Sequence, residues 1–216
     1  MKWREEVFRD VFSSFFPEEK PESVIDIGGG QSEVERILKP RTYVNVNKRV
    51  YSGERGEPEG AGDGNATPDI DCDLNEVKRL PADGRSYDVV VLSQILEHLN
   101  FDAQQRIIKE SKRIARRHIV VGLPNEVVYF QRLLILAGRS TIGVSQFGHH
   151  YMFNVPLAEK FVRENFAPEF SVVRTHYVVR GPLRHLPFAA RFARLWSNML
   201  AYEIYYLLER KEEVRQ

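Results

Sequence analysis

SVIDIGGG, residues 23–30, is a short apolar run that ends in three glycines and passes at once into the helix-like SEVERIL of residues 32–38. A strand, a glycine turn and a helix in that order open a parallel α/β sheet. Upstream, Trp3, Val7, Phe8, Val11, Phe12, Phe15 and Phe16 recur at helical spacing, so an amphipathic helix over 3–16 precedes the strand and stops before Pro17 and Pro21. Downstream, TYVNVNK (42–48), PDIDCDL (68–74), YDVVVLS (87–93) and HIVVGLP (118–124) read as further strands, with YDVVVLS apolar enough to be buried on both faces. Residues 51–65 hold five glycines, a proline and four acids, which cannot pack a core and read as an exposed loop. A helix is expected over 102–117, with Ile107, Ile108 and Ile114 inward. Its outer face carries Arg106, Lys109, Lys112, Arg113, Arg116 and Arg117 and reads as solvated.

The last third changes character. Residues 125–137 read as an apolar helix closed by Gly138, followed by the loop QFGHHYMFN (146–154) and a helix over 156–166. FSVVRTHYVVR (170–180) reads as a long strand and RFARLWSNM (191–199) as a helix. AYEIYYLLER (201–210) is β-rich, with a continuing helix as the alternative. As a strand it would pair antiparallel with 170–180 at the sheet edge. The fold class is therefore α/β: a doubly wound, mostly parallel seven-stranded sheet with an antiparallel C-terminal edge strand and a helical cap.

Composition narrows the function classes. Hydrophobic residues make up 43% and charged residues 28% of 216, so a globular chain with a sizeable core is expected. A net charge of +1 argues against a dedicated whole-surface nucleic-acid binder, and no DNA partner is expected. The lone cysteine, Cys72, forms no disulfide within the chain and fits a reducing compartment. With no apolar run of spanning length and a charged start, MKWREEVFRD, the expectation is a cytoplasmic protein.

Ligands of doubly wound sheets sit beyond the carboxyl ends of the strands, and the glycines at 28–30 fall at such an end. Either they cradle a nucleotide-type cofactor or they form a bare tight turn. A dinucleotide fingerprint needs a third glycine where Glu33 stands, and an acid there repels pyrophosphate. NAD is disfavoured.

VIDIGGGQS resembles motif I of the class I S-adenosylmethionine-dependent methyltransferases. PDIDCDLNEVKRLPADGRSYDVVVLSQILEHL (68–99), IIKESKRIARRHIVVGLP and GHHYMFN resemble, in order, segments of the type-11 branch of that family, so the likeness runs over roughly residues 23–165. It implies the Rossmann-like methyltransferase fold and S-adenosyl-L-methionine as cofactor. On the same footing Asp26, Gly28 and Gly30 would shape the pocket for the methionine part, and Asp73 and Leu74 would lie beside the adenine. Ser93 and Gln94 would line the sulfonium end. For Asp73 alone, a helix N-cap is the competing reading. The pattern departs at Ser32, which replaces the third glycine, and at Asn47, where an acid usually holds both ribose hydroxyls. Asn47 can accept one hydrogen bond there but forfeits a charge-assisted bidentate grip. The organisation expected is one domain, 1–216, with an N-terminal helix (1–20), a cofactor-binding core (21–124), a cap (125–168) and a strand–helix–strand end (169–216).

Methyl transfer needs alignment and, for some acceptors, a base. His149 and His150 lie in the expected cap and are the candidates for base or substrate clamp, whereas His98 reads as a structural hydrogen-bonder beneath the pocket. No ligand spacing points to a metal from these residues with Glu97 or Cys72. From Ser171 to Tyr202 no acid occurs, while Arg174, Arg180, Arg184, Arg191 and Arg194 alternate with aromatic and apolar residues. That stretch reads either as an ordinary amphipathic helix or as a surface for an anionic membrane or a lipid-like acceptor. RNA is weakened by the lack of a recognisable module. The acceptor expected is small or lipid-like, roofed by 125–153. The competing class is a non-catalytic binding or regulatory protein that keeps the fold.

Overall fold

The computed structural model describes residues 2–30, 33–48, 68–180 and 189–212. The expectations for Ser32, for the 51–65 loop and for Arg184 lie outside these residues, as does the side chain of Arg191. The elements are α1 (Lys2–Phe15), β1 (Ser23–Ile27), α2 (Glu33–Leu38), β2 (Thr42–Asn47), β3 (Ile70–Asp71) and β4 (Tyr87–Ser93). After a 3-10 turn at Leu96–His98 come α3 (Phe101–Ile114), β5 (Ala115–Pro124), α4 (Tyr129–Leu136), α5 (Ile142–Gln146) and α6 (Val155–Phe166). The chain closes with β6 (Phe170–Val179), α7 (Ala189–Leu195), α8 (Ser197–Leu200) and β7 (Ala201–Arg210).

The seven strands form one sheet in the order β3-β2-β1-β4-β5-β7-β6. The first five run parallel, and β7 lies antiparallel between β5 and β6. Strand order reverses between β1 and β4, which is where the crevice of such a sheet opens. Alternation along the strands splits the core into two layers. Ile25, Ile27, Val90 and Leu92 pack with Ile107, Ile114, Val162 and Phe166 of α3 and α6. Val24, Val89 and Val91 pack on the other face with Val7, Val11, Phe12 and Phe15 of α1 and with Val34 and Leu38 of α2. The aromatic stripe of the opening helix is thus one wall of the core. AYEIYYLLER is a strand because its β-branched and aromatic residues fill the space between two sheet neighbours, with six consecutive buried positions.

Boundaries moved in several places. PDIDCDL is a strand only at Ile70–Asp71, because the acids on either side turn back to backbone: Asp69 accepts from the Asn45 N–H and Asp73 from the Asn75 N–H. The helix expected over 102–117 ends at Ile114, and Ala115 enters β5 directly with extended torsions. Its basic face is tied down rather than simply solvated. Arg113 binds Glu110 and the carbonyls of Leu80 and Ala82, Arg106 binds the Asn75 carbonyl, and Arg116, on β5, pairs with Asp88. The helix expected over 125–137 starts only at Tyr129. Asn125 and Glu126 are held first, Asn125 by the carbonyls of Asn198 and Ala201 and Glu126 by His149. RFARLWSNM breaks at Trp196 into α7 and α8.

Candidate functional site

At the β1 end, Gly28 has φ +84, which glycine adopts without strain, and its N–H donates to the Val46 carbonyl. A Cβ on Gly28 would stand 2.6 Å from Ile95, so the turn presses directly on the segment leaving β4. Gly29 lies over the Asp26 carboxylate, where a side chain would collide with Oδ2. Asp26 is buried and accepts from the Tyr43 hydroxyl at 3.0 Å. Burial pushes its pKa up to about 7, against the lowering effects of the Tyr43 hydrogen bond and the Arg4 charge. Gly30 follows, half-buried.

Asn47 ends β2 beside this turn. Its Nδ2 donates to the Gly29 carbonyl at 3.2 Å and its Oδ1 accepts from the Lys48 N–H at 2.8 Å. The amide nitrogen therefore braces the glycine turn, while its oxygen is held by the residue that follows. No helix follows Asp73 directly, so the N-cap alternative is not realised: Oδ1 accepts from the Asn75 N–H two residues on in a local turn, and Oδ2 lies 3.4 Å from the exposed Lys48 ammonium. Leu74 is buried next to it.

At the β4 end, Ser93 does not turn toward the glycine turn. It shares the face of Val89 and Val91, and its hydroxyl lies 3.2 Å from that of Tyr205 on β7. The Tyr205 hydroxyl donates to Glu203, and the close approach of its ring to the sheet is possible because Gly122 has no Cβ. Gln94 has φ +53, a conformation costly for a side-chain-bearing residue, and its Nε2 is buried without a hydrogen-bond partner among the described residues. Glycine turn, Asn47, Asp73 and Gln94 all lie at carboxyl ends of the parallel strands. Ser93, expected at the sulfonium end, has its hydroxyl on Tyr205.

On the acceptor side the two adjacent histidines separate. His150 is exposed, and its N–H donates to the Glu97 carbonyl. His149 is turned inward: Nδ1 sits 2.7 Å from Oε1 of Glu126, and its ring meets that of His98 edge-on at 4.7 Å. Burial, then the His149 charge, brings His98 down to about 4, so it is neutral at physiological pH. Glu97 is fully buried, and desolvation raises it to about 8. Sequence reasoning missed Glu126, because nothing in its local pattern marks it as the partner of a distant histidine. The segment expected to roof the acceptor is part buried and part exposed. Val128 is buried, but Leu133 and Leu136 of α4 are 60% and 83% exposed.

The model of the family described as "Methionine biosynthesis protein MetW" matches residues 19–158. No curated protein matches the sequence. Among solved structures, a SAM-dependent methyltransferase from Archaeoglobus fulgidus superposes with TM-score 0.59 at 16% identity, covering 96% of this chain and 94% of that one. The magnesium protoporphyrin IX methyltransferase of Synechocystis PCC 6803, solved with bound SAH, gives 0.57 at 16% identity, over 96% of this chain and 84% of that one. The N-methyltransferase NodS of Bradyrhizobium japonicum, in complex with S-adenosyl-L-homocysteine, gives 0.52 at 11% identity, over 98% and 87%. At these identities the likeness is one of fold: the Rossmann-like fold of class I methyltransferases.

Proposed function

The chain belongs to the family of the methionine biosynthesis protein MetW, and from that premise we propose that it binds S-adenosyl-L-methionine and transfers its methyl group to a small or lipid-like acceptor. The observation that carries this reading is the close packing of the Gly28 turn against Ile95 where strand order reverses, with the half-exposed Asp73 at the end of β3. The residues fit the cofactor: a cationic, zwitterionic molecule suits carboxylates and carbonyls at strand ends better than phosphate would. The cofactor supplies, when bound, a methyl group already activated on a sulfonium. For this chain's part, Gly28 and Gly30 keep the backbone bare for close approach, with Asp26 beneath them. Asp73 Oδ2 and the Leu74 backbone are assigned to the adenine, and the unpaired Nε2 of Gln94 to a cofactor or acceptor oxygen. Asn47 braces the turn rather than gripping ribose with both ends of its amide. His149, oriented by Glu126, and the exposed His150 are assigned to the acceptor side. The ordered segments between 68 and 124 support a place near the type-11 branch. Because β7 lies inside the sheet between β5 and β6, both C-terminal strands fold with the core, which supports one methyltransferase-like domain over 1–216.

Calorimetric titration is expected to show S-adenosylmethionine binding at micromolar to sub-millimolar strength. Asp73→Ala should weaken it about tenfold, the scale of one charge-assisted hydrogen bond. No heat with the wild-type chain up to millimolar cofactor would overturn the reading. One observation favours the non-catalytic alternative: the Asn47 amide is spent on Gly29 and Lys48. Binding without methyl transfer to any acceptor tried would support that alternative.

The acceptor class rests on the surface. Leu133, Ile135 and Leu136 of α4 and Phe192, Leu195 and Trp196 around α7 are exposed, with Arg194 among them. Such a mixture suits an apolar molecule with an anionic group, or peripheral contact with an anionic membrane. None of the helices among the described residues is long and apolar enough to cross a membrane. Flotation with anionic liposomes should fall as salt rises. A chain that ignores both anionic and neutral vesicles would leave a small polar acceptor.

A further inference from the structure

Glu97 and His98 occupy the 3-10 turn just after β4, and His149 arrives from the loop that follows α5. One ligand atom from each of these residues lies within 4.8 Å of the other two. Three backbone hydrogen bonds hold the segments in place: His150 N–H to the Glu97 carbonyl, His149 N–H to that of Gly143, and Glu126 N–H to that of Phe153. Gly143 contributes by having no side chain, since a Cβ there would strike both the Glu126 carboxylate and the His149 ring.

A histidine–glutamate ion pair alone would leave this cluster poorly balanced. Glu97 is 0% exposed, and neither oxygen of its carboxylate has a hydrogen-bond partner in another described residue. Oε2 of Glu126, in a side chain only 3% exposed, is likewise without a partner among the described residues. A carboxylate this deeply buried either holds a proton or is charged against a partner, and a metal ion is one partner that would fill the open lone pairs of both. Meanwhile Nδ1 of His149 is taken up by Glu126. A carboxylate on one ring nitrogen fixes the tautomer and leaves the lone pair of the other nitrogen for a metal.

We propose that Glu97, His98 and His149 form a binding site for one divalent transition-metal ion, with Glu126 positioning His149. Two imidazoles and a carboxylate suit zinc, iron(II), manganese(II) or cobalt(II) better than calcium or magnesium, which take oxygen ligands. Metal–ligand bonds of about 2.0–2.2 Å at tetrahedral angles set ligand atoms about 3.4 Å apart, so atoms now up to 4.8 Å apart must close by up to about 1.4 Å, a distance that side-chain rotation covers. Three protein ligands leave coordination positions for water or for an oxygen or nitrogen of an acceptor. The site stands apart from the methyl-transfer reading, since ion binding is measured without cofactor. With an ion in place, His149 would orient an acceptor through the metal rather than take its proton.

The test is titration of the full, tag-free, chelator-stripped chain with cobalt(II), read by visible ligand-field absorption, and with zinc by calorimetry. One ion per chain is expected, bound at micromolar strength or tighter and competed between the two metals. His149→Ala and the isosteric Glu97→Gln should abolish the cobalt spectrum. Glu126→Gln should weaken binding about 10- to 100-fold while keeping the spectrum. His176→Ala, on β6 and outside the cluster, should bind as the wild type does. Urea unfolding of each metal-free variant separates lost ligands from lost fold. Wild-type chain that binds neither ion below millimolar concentration, or folded His149→Ala or Glu97→Gln that keeps wild-type affinity, overturns the proposal.

Discussion

Gly28→Val is expected to abolish S-adenosylmethionine binding and to destabilise the fold by about 2–5 kcal/mol, the combined scale of left-handed backbone strain and overpacking. Gly28 has φ +84, and its missing Cβ would lie 2.6 to 2.9 Å from three side-chain atoms of Ile95. A β-branched residue meets both objections at once, because its backbone disfavours that φ and its methyls enter the Ile95 side chain. The strain falls at the crevice, so cofactor affinity should collapse even where the variant remains folded. Urea unfolding and calorimetry read the two effects separately. Adding Ile95→Ala should recover part of the stability by removing the clash but none of the part due to φ, so the double mutant cycle divides the cost. A Gly28→Val chain as stable as the wild type would show that the turn is not built as described.

Asp26→Asn is expected to flatten the pH dependence of stability between about pH 4 and pH 7. The Asp26 carboxyl is raised from its ordinary value to about 7 by burial. An acid whose folded pKa is raised holds its proton in the native state after the unfolded chain has released it. Its contribution is therefore complete below about pH 4 and is lost as pH rises through about 7, a change on the order of a few kcal/mol. Asparagine is uncharged throughout, is nearly the same size, and can still accept from Tyr43. Urea midpoints measured at several pH values should give a difference between wild type and variant that shifts toward the variant as pH rises. Parallel curves would mean that Asp26 titrates normally and is reached by water.

Much of this architecture was legible because its signals are local. β1, β2, β4 and the glycine turn follow from apolar runs, turn residues and positions that glycine alone occupies comfortably. The family resemblance over 23–165 overlaps most of the span matched by the MetW model. Where expectations failed, a distant partner had intervened. Glu126 is drawn to His149, which delays α4 until Tyr129; the acids around Ile70 turn to nearby backbone and shorten β3. Ala115 leaves the helical region so that Arg116 can reach Asp88, and the basic helix face loses a turn.

The sequence by itself determined the period of each segment, and period decides strand or helix because side chains alternate every two residues in one and recur every 3.6 in the other. It also pointed to a turn at residues 28–30, since glycine takes a positive φ without the strain a side chain brings. Period does not say which face of the sheet meets which helix, so the tertiary structure alone turned Ser93 toward Tyr205. Nor does it say which side chains far apart in the chain will meet. The Asn47 brace on Gly29 and the convergence of Glu97, His98, Glu126 and His149 are set by strand order and loop packing. Such contacts gain their energy only after the intervening chain has been ordered, and no local pattern records that cost.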